Sequence, residues 1–226
     1  MARDIVLLSK KTIWCQHAAD IARSFFAEAL TWHAGGAGDA LPVADGGLAK
    51  GSILVSFLSP WIVPQRLLDQ AGVAINFHPG SRHYPGSGCY NFAIFEGAKE
   101  FGSVCHHMAR SVDTGSIIRE DLFPLTGRET IEQLKLRTMV VMLAQFHEIM
   151  HTLRAGADLP KAAAGWTRKA FTKRDLNDLA RVTPEMTDEE VGRRVRAMAY
   201  PGFSGAFVDI GGERFQSPTP PRAIVE

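Results

Sequence analysis

The sequence is poor in cysteine and has no long hydrophobic run. Its 226 residues include three cysteines, Cys15, Cys89 and Cys105, too few and too scattered for a disulfide framework or a Cys-x-x-Cys metal site. We therefore expect three buried thiols in a reducing compartment. Apolar runs such as residues 51–58 are far shorter than the roughly 20 residues that span a bilayer, and the first residues lack a signal-peptide pattern. These absences predict a cytoplasmic protein without a membrane span.

The chain also lacks an excess of charge of either sign. Its formal net charge is +1 at pH 7, whereas nucleic-acid binding usually depends on many clustered Lys and Arg side chains. We therefore expect no nucleic-acid partner, although a small anionic ligand remains compatible with this charge. A chain of this length can bury an adequate core as one large domain, or as one domain with a small appendage.

What the sequence does contain is an alternation of strand-like and helix-like segments. Short apolar runs at residues 4–8, 53–57 and 73–77 predict buried strands. Helical patterns from about residue 17 to 30, around residues 65–70 and over residues 91–96 fall between or after them, and residues 104–108 and 117–118 favour further strands. This pattern predicts an α/β fold with a largely parallel central sheet flanked by helices.

The second half of the chain is predicted to begin with a long helix. A long helix is expected from Thr126 to about Arg154, with Thr126 as N-cap and Glu129 completing a capping box. A looser region begins at Gly156, followed by a helix over residues 187–198 and a small β-hairpin turning at residues 211–212. We predict a main domain over residues 1–155 and a C-terminal region over residues 156–226.

Two short segments carry the groups of a possible active site. In the first, Asn76 and His78 alternate along a strand, so both should point to one side while Phe77 enters the core. The second is a turn containing Asp113. An amide, an imidazole and a carboxylate at strand ends suit acyl transfer to an amine, which requires donors for an oxyanion and a proton acceptor. The alternative is that Asn-x-His before Pro-Gly is only a strand ending in a turn.

A third segment matches a zinc motif. Residues 147–151 read His-Glu-Ile-Met-His, which on a helix sets two imidazoles one turn apart with a glutamate as general base. No histidine follows to supply a third ligand, while Asp158 and Asp175 stay open as candidates. The ordinary interpretation is an amphipathic helix, so we expect no metal and keep a zinc peptidase as an alternative.

Four ordered motifs resemble a known family. They are Asn76-Phe77-His78-Pro79-Gly80, Tyr84-Pro85-Gly86, Gly102-Ser103-Val104-Cys105-His106 and Val112-Asp113-Thr114-Gly115. Over roughly residues 50–120 the chain is similar to the formyltransferases that use N10-formyltetrahydrofolate, which include glycinamide ribonucleotide, methionyl-tRNA and sugar N-formyltransferases. The resemblance implies a Rossmann-like formyltransferase fold, with a small C-terminal helix and β-hairpin appendage. The short tail and the Tyr-Pro-Gly spacing are most similar to the sugar enzymes.

The resemblance also implies roles for particular residues. It makes Asn76, His78 and Asp113 the catalytic trio. We expect Asn76 and His78 to stabilise the oxyanion, and Asp113 to fix the imidazole and to accept the amine proton directly or through water. The folate co-substrate is expected at the mouth formed by Leu58, Ser59, Trp61, Ile62, Asp113, Thr114 and Gly115. Contacts to the acceptor substrate are expected from Tyr84, Pro85, Gly86 and His106, although His106 could equally be a hydrogen-bonded core residue.

The implied reaction is direct transfer of a formyl group to the amine of a nucleotide-linked 4-amino-4,6-dideoxysugar, for a surface polysaccharide such as O-antigen. GDP-perosamine is the first expectation for the acceptor and a dTDP-linked sugar the second. A methionyl-tRNA formyltransferase and a non-catalytic ligand-binding relative remain as alternatives. A homodimer is expected.

Overall fold

A computed structural model describes residues 4–43 and 46–220. Its central sheet has six strands: β1 (Ile5–Lys10), β2 (Leu30–Gly35), β3 (Ile53–Phe57), β4 (Val73–His78), β5 (Glu100–His107) and β6 (Ile117–Pro124). The strand order is β2-β1-β3-β4-β5-β6. The first four strands are parallel, and β5 runs antiparallel to both β4 and β6. The predicted α/β class with a largely parallel sheet is confirmed.

The other elements in the described residues are six α-helices, a 3-10 turn at Ala27–Ala29 and a β-hairpin. The helices are α1 (Ile13–Phe26), α2 (Gln65–Leu68), α3 (Cys89–Glu96), α4 (Ile131–Arg154), α5 (Lys173–Ala180) and α6 (Asp188–Met198). The strands β7 (Phe207–Ile210) and β8 (Glu213–Gln216) pair with each other, as predicted for the C-terminal hairpin. No helix in the described part of the chain is long and apolar enough to cross a membrane.

Apolar burial on both faces explains the continuous apolar strands. Every residue of β3 is buried, because α1 and α4 pack against one face of the sheet and α2 with the segment before β3 covers the other. Phe57, Phe77 and Phe146 meet in the first of these cores, with ring centroids 4.9–5.9 Å apart. The three cysteines are buried free thiols, as expected.

The start of α4 differs from the prediction. Thr130, not Thr126, is the N-cap, and its capping box is closed by Gln133. Glu129 does accept hydrogen bonds from the Thr126 amide and hydroxyl at 2.7 and 3.0 Å. Those bonds stabilise a turn before the helix, because the same Ser/Thr-x-x-Glu/Gln spacing occurs twice within eight residues and only the second is followed by helical backbone.

Two elements were absent from the sequence prediction. β2 begins at the residue where the first helix was predicted to end. As an edge strand that pairs only with β1, it lacks a strong apolar pattern. α5 lies in a charged stretch whose buried residues are only Leu179 and Ala180. Both depend on tertiary partners more than on local periodicity.

The C-terminal region packs on the main sheet domain. α6 lies against α3, where the Asn91 side chain donates to the Ala197 carbonyl at 2.8 Å. Upstream of α5, the irregular segment 162–172 crosses the loops that follow β4 and β5 and hydrogen-bonds to both. The division at residue 155 stays a prediction, although these contacts connect its two sides.

Candidate active site

The strand register brings the polar residues of β4 and β5 together. Asn76 on β4 lies directly opposite His106 on β5, and a β-bulge interrupts the β5–β6 pairing between Cys105 and His106. Bulges redirect side chains next to functional sites. His78 is buried two residues beyond Asn76, and Phe77 enters the core. The alternation predicted for this strand is therefore present in the structure.

Asp113 joins these residues from the loop between β5 and β6. Its backbone has φ 48°, a left-handed conformation that non-glycine residues seldom adopt and that functional sites often hold in place. One carboxylate oxygen lies 3.0 Å from Nδ1 of His78 and 2.8 Å from the donating amide of Gly86. The other lies 3.1 Å from Nε2 of His106 and 3.5 Å from Nδ2 of Asn76. One buried carboxylate therefore links all the polar side chains of the cluster.

The electrostatics keep this carboxylate ionised. Burial by itself would raise the pKa of Asp113, but the charge of His78 and the hydrogen bonds from His106 and His78 hold that pKa well below its usual range. Asp113 is therefore better suited to orienting imidazoles than to accepting a proton near neutral pH.

The two imidazoles have different hydrogen-bond environments. His78 donates Nε2 to the Tyr84 carbonyl at 2.8 Å while its Nδ1 faces Asp113. Both partners only accept, so each nitrogen of His78 can bond to its partner only by donating a hydrogen. His106 directs Nδ1 to the His107 carbonyl at 2.8 Å, and its Nε2 lies 3.0 Å from Nδ2 of Asn76 and 3.1 Å from Asp113. Nε2 of His106 can thus accept from Asn76 when neutral or donate to Asp113 when protonated.

This cluster lies against a cavity of about 820 Å³, within the size range of small-molecule sites. Of the residues assigned from the sequence, most line it: Leu58, Ser59, Trp61, Ile62, Asn76, His78, Gly86, His106, Asp113 and Thr114. The cavity opens where β3 and β4 end, which is the edge of a parallel sheet where ligands usually bind.

Two loops at the mouth of the cavity expose apolar side chains. Ile62 is 73% exposed and Val112 is 52% exposed, and both line the cavity. Leu58 begins the first loop at φ 53°. Trp61 is fixed there by its indole nitrogen, which donates to the Asp39 carbonyl at 2.9 Å. Exposed apolar groups on facing loops suit a flat, partly apolar ligand.

Three assigned residues do not line the cavity in the described part of the chain. The Tyr84 ring is buried in a second core beside Phe101, and burial raises the pKa of its hydroxyl to about 12. Pro85 contributes a backbone carbonyl to Phe171, and Gly115 approaches the His107 carbonyl so closely that a Cβ would lie 1.7 Å from it. All three make contacts within the protein that shape the loops, and their contacts with a ligand stay predictions.

One residue beside the cluster was not assigned to the site from the sequence. The Trp166 ring lies 5.7 Å from that of His78 and 5.2 Å from that of His106. It belongs to the segment preceding α5, far from the four motifs. A single tryptophan outside any apolar repeat has no periodic pattern, so its position could be found only from tertiary contacts.

The zinc-motif histidines lie elsewhere. His147 and His151 pack edge-on against Phe25, at 5.1 and 6.0 Å between ring centroids. Among residues 4–43 and 46–220, no group of three or more His, Cys, Asp or Glu side chains could hold a metal ion. The expectation that the protein needs no metal stays a prediction.

Comparisons with known sequences agree with the motif resemblance. The sequence model of the formyl transferase family matches residues 50–147. GDP-perosamine N-formyltransferase from Brucella melitensis is 26% identical over 160 residues, which is 70% of this chain and 61% of the relative. Methionyl-tRNA formyltransferase from Akkermansia muciniphila is 30% identical over 155 residues, 66% of this chain and 47% of the relative. The matched region thus covers less than two thirds of either relative.

Solved structures share the fold over nearly the whole chain. A 4-N formyltransferase from Francisella tularensis superposes with a TM-score of 0.77, covering 99% of this chain and 100% of that one at 13% identity. An N-formyltransferase from Helicobacter canadensis, solved with folinic acid and dTDP-3-aminofucose, gives a TM-score of 0.75 at 14% identity, covering 93% and 85%. These structures show that the fold is shared, while the sequence match and the motifs around Asn76, His78 and Asp113 place residues 50–147 in the formyl transferase family.

Proposed function

We propose that this protein transfers the formyl group of N10-formyltetrahydrofolate to the 4-amino group of a nucleotide-linked 4-amino-4,6-dideoxysugar. GDP-perosamine is the first candidate for the acceptor and a dTDP-linked sugar the second. The observation that carries the proposal is the convergence of Asn76, His78 and His106 on the carboxylate of Asp113, beside one cavity. Two similar proteins support this choice of acceptor class: the Brucella relative is named a GDP-perosamine N-formyltransferase, and the Helicobacter N-formyltransferase was solved with dTDP-3-aminofucose.

Formyl transfer makes two chemical demands on the site. The amine attacks the formyl carbon, so the carbonyl oxygen gains negative charge and the amine must lose a proton, while N10 of the folate takes up a proton as it leaves. Preorganised donors near the oxygen lower the barrier. Asn76 is half-buried at the cavity with an amide that can donate, and we assign it to the oxyanion together with His78. For that role His78 must give up its bond to the Tyr84 carbonyl.

The remaining roles follow from the hydrogen bonds of the cluster. Asp113 holds both imidazoles and stays ionised, so we assign it to orientation. If Nε2 of His106 takes up a proton, it can hydrogen-bond to the ionised Asp113, which suits His106 to receive the amine proton through water. No covalent enzyme intermediate is needed, because the amine itself is the nucleophile.

The cavity lining also suits the two proposed ligands. Lys10, Arg110 and Lys169 line it, and among the described lining residues Asp113 is the one acid. Three cations beside a single, already paired carboxylate favour a diphosphate or a folate glutamate tail. Ile62 and Val112 at the mouth favour the flat pterin. A cytoplasmic location, a homodimer and a role in O-antigen synthesis stay predictions.

The test is formylation followed by mass spectrometry. GDP-perosamine and dTDP-linked 4-amino sugars would each be incubated with N10-formyltetrahydrofolate and the wild-type protein, His78→Ala, or His33→Ala as a control on the edge strand β2. We expect one sugar to gain a formyl group with the wild type and the control, and little or no product with His78→Ala. If the protein still binds folate but forms no product with any aminosugar, the proposed class of acceptor is wrong.

A methionyl-tRNA acceptor is the second candidate, favoured by the 30% identity to the Akkermansia enzyme. It predicts tRNA binding that weakens steeply as salt rises from about 50 to about 200 mM, since phosphate contacts release counterions. The net charge of +1 argues for weak binding of this kind. Formylated methionyl-tRNA in place of formylated sugar would establish this alternative.

A further inference from the structure

The segment between α4 and α5 is tied across the two loops that hold the polar cluster. We define residues 162–172 as the crossing segment. Phe171 donates its amide to the Pro85 carbonyl at 2.9 Å and accepts from the Ser87 amide at 2.8 Å. Gly86 lies between these two bonds, and a Cβ there would lie 2.3 Å from the Phe171 carbonyl oxygen. The Gly86 amide in turn donates to Asp113, so the crossing segment supports one of the bonds that hold the carboxylate.

Trp166 is the member of this segment that reaches the imidazoles. Its indole nitrogen donates to the Gly115 carbonyl at 2.9 Å, two residues after Asp113. Its ring meets those of His78 and His106 nearly at right angles, with interplanar angles of 79° and 82°. One side chain thus contacts the turn of Asp113 and both of its imidazole partners.

These contacts restrict motions that the hydrogen bonds leave free. An imidazole with one hydrogen bond at each nitrogen can still rotate about the line that joins its two partners. A perpendicular aromatic ring against it limits that rotation. Among the described residues that line the cavity, Trp166 is absent, so it contacts the imidazoles without facing the ligand space. Its action on the reaction would therefore be through His78 and His106.

We propose that Trp166 is a positioning residue that fixes the planes of His78 and His106 on either side of Asp113. The proposal rests on the proposed formyl transfer. It makes the crossing segment, which lies outside the matched residues 50–147, a structural part of the active site. Residues 50–147 contain the polar groups, but residue 166 holds two of them in place.

The kinetic test compares Trp166→Ala with Trp166→Phe. We expect Trp166→Ala to lower kcat about a hundredfold with KM little changed, because a small misplacement of reacting groups costs about that much. Trp166→Phe keeps a ring but loses the bond to Gly115, and should lie between the alanine variant and the wild type. Trp32→Phe is the matched control: its indole nitrogen also donates a 2.9 Å hydrogen bond, to Ser9 on β1, and its kcat should be unchanged. A folded Trp166→Ala with wild-type kcat overturns the proposal.

A second test does not depend on the reaction. Nitrogen-15 NMR of the histidine side chains can follow the hydrogens on the imidazole nitrogens of His78 and His106. In the wild type these hydrogens should exchange slowly with water, and in Trp166→Ala their exchange should accelerate while circular dichroism stays native. Unchanged exchange in that variant overturns the proposal even if formyl transfer is confirmed. If no acceptor is formylated by the wild type, faster exchange still supports the positioning role while the proposed reaction fails.

Discussion

Asp113 and His106 are joined by a 3.1 Å contact between Oδ1 and Nε2, although one lies in a loop and the other on the antiparallel strand β5. The same carboxylate contacts His78 through its other oxygen. A single buried anion shared by two imidazoles differs from the sequence expectation, in which one imidazole paired with Asp113 and the role of His106 stayed open. In the mechanism proposed above, Asp113 therefore orients both imidazoles, and His106 receives the amine proton.

The charge of Asp113 can be removed with little change of shape. Asp113→Asn should lower kcat/KM about a thousandfold or more, because an amide cannot accept from both imidazoles and the Gly86 amide, and loss of an orienting carboxylate has effects of this order. Steady-state formylation would measure it. Asp20→Asn, in an exposed pair with Arg23, is the control; equal activity of the two variants would contradict the role given to Asp113.

Asn76 is expected to contribute one donor and no more. Asn76→Ala should lower kcat about a hundredfold to a thousandfold and leave measurable turnover, as for other sites that lose one oxyanion donor. Asn91→Ala is the matched control, since Asn91 donates to a backbone carbonyl away from the cavity and should lose stability more than kcat. A complete loss of turnover in a folded Asn76→Ala variant would mean that Asn76 does more than donate one hydrogen bond to the oxyanion.

The two imidazoles can be separated by mutation. If His106 takes the amine proton, His106→Ala should lower kcat about a hundredfold, a usual effect for loss of a proton acceptor, as His78→Ala should through the oxyanion. His33→Ala should retain wild-type kcat. Wild-type kcat in His106→Ala, with native circular dichroism, would show that His106 is only a buried core residue.

The exposed apolar pair at the cavity mouth predicts a co-substrate effect. Ile62→Ser and Val112→Ser should each raise the KM for N10-formyltetrahydrofolate about tenfold, since burying such a side chain against a ligand is worth about 1.5–3 kcal/mol at most. The KM for the aminosugar should change little. Leu136→Ser removes a similarly exposed apolar side chain from α4 and is the control. An increase in the KM for the aminosugar alone would show that the folate does not bind at these loops.

Protonation of Glu129 should make the protein less stable in acid. Burial alone would raise its pKa, but hydrogen bonds from Thr126 and Gly127 lower it from 4.5 to about 2. A carboxylate with a depressed folded-state pKa stabilises the fold above its unfolded pKa, and that contribution fades as pH falls from about 5 toward the folded value.

Glu129→Gln should therefore lower Tm at pH 7, by about 2–4 °C for each kcal/mol lost. The difference from the wild type should shrink as pH approaches about 2. Thermal unfolding followed by circular dichroism across this range is the measurement. Glu100→Gln on the exposed start of β5 should show no such trend. A constant difference at every pH would mean that packing, not charge, is lost.

Local sequence determined much of this protein. Continuous apolar runs predicted β1, β3 and β4, because strands covered on both faces have no polar side. Asn76 and His78 could be placed on one side of a strand because alternation is a property of any extended backbone. The ordered motifs linked them to Asp113 through a family resemblance, and the comparisons bear out that family for residues 50–147.

Only the tertiary structure decided the rest. The antiparallel course of β5 set His106 opposite Asn76, and neither the direction of a strand nor the effect of a bulge can be read from its own residues. The same holds for Trp166, which reaches the imidazoles because the crossing segment pairs with loops about 80 residues earlier in the chain. Hydrogen-bond geometry between distant segments depends on how they pack, so local sequence fixed which chemical groups exist and long-range packing fixed which of them meet.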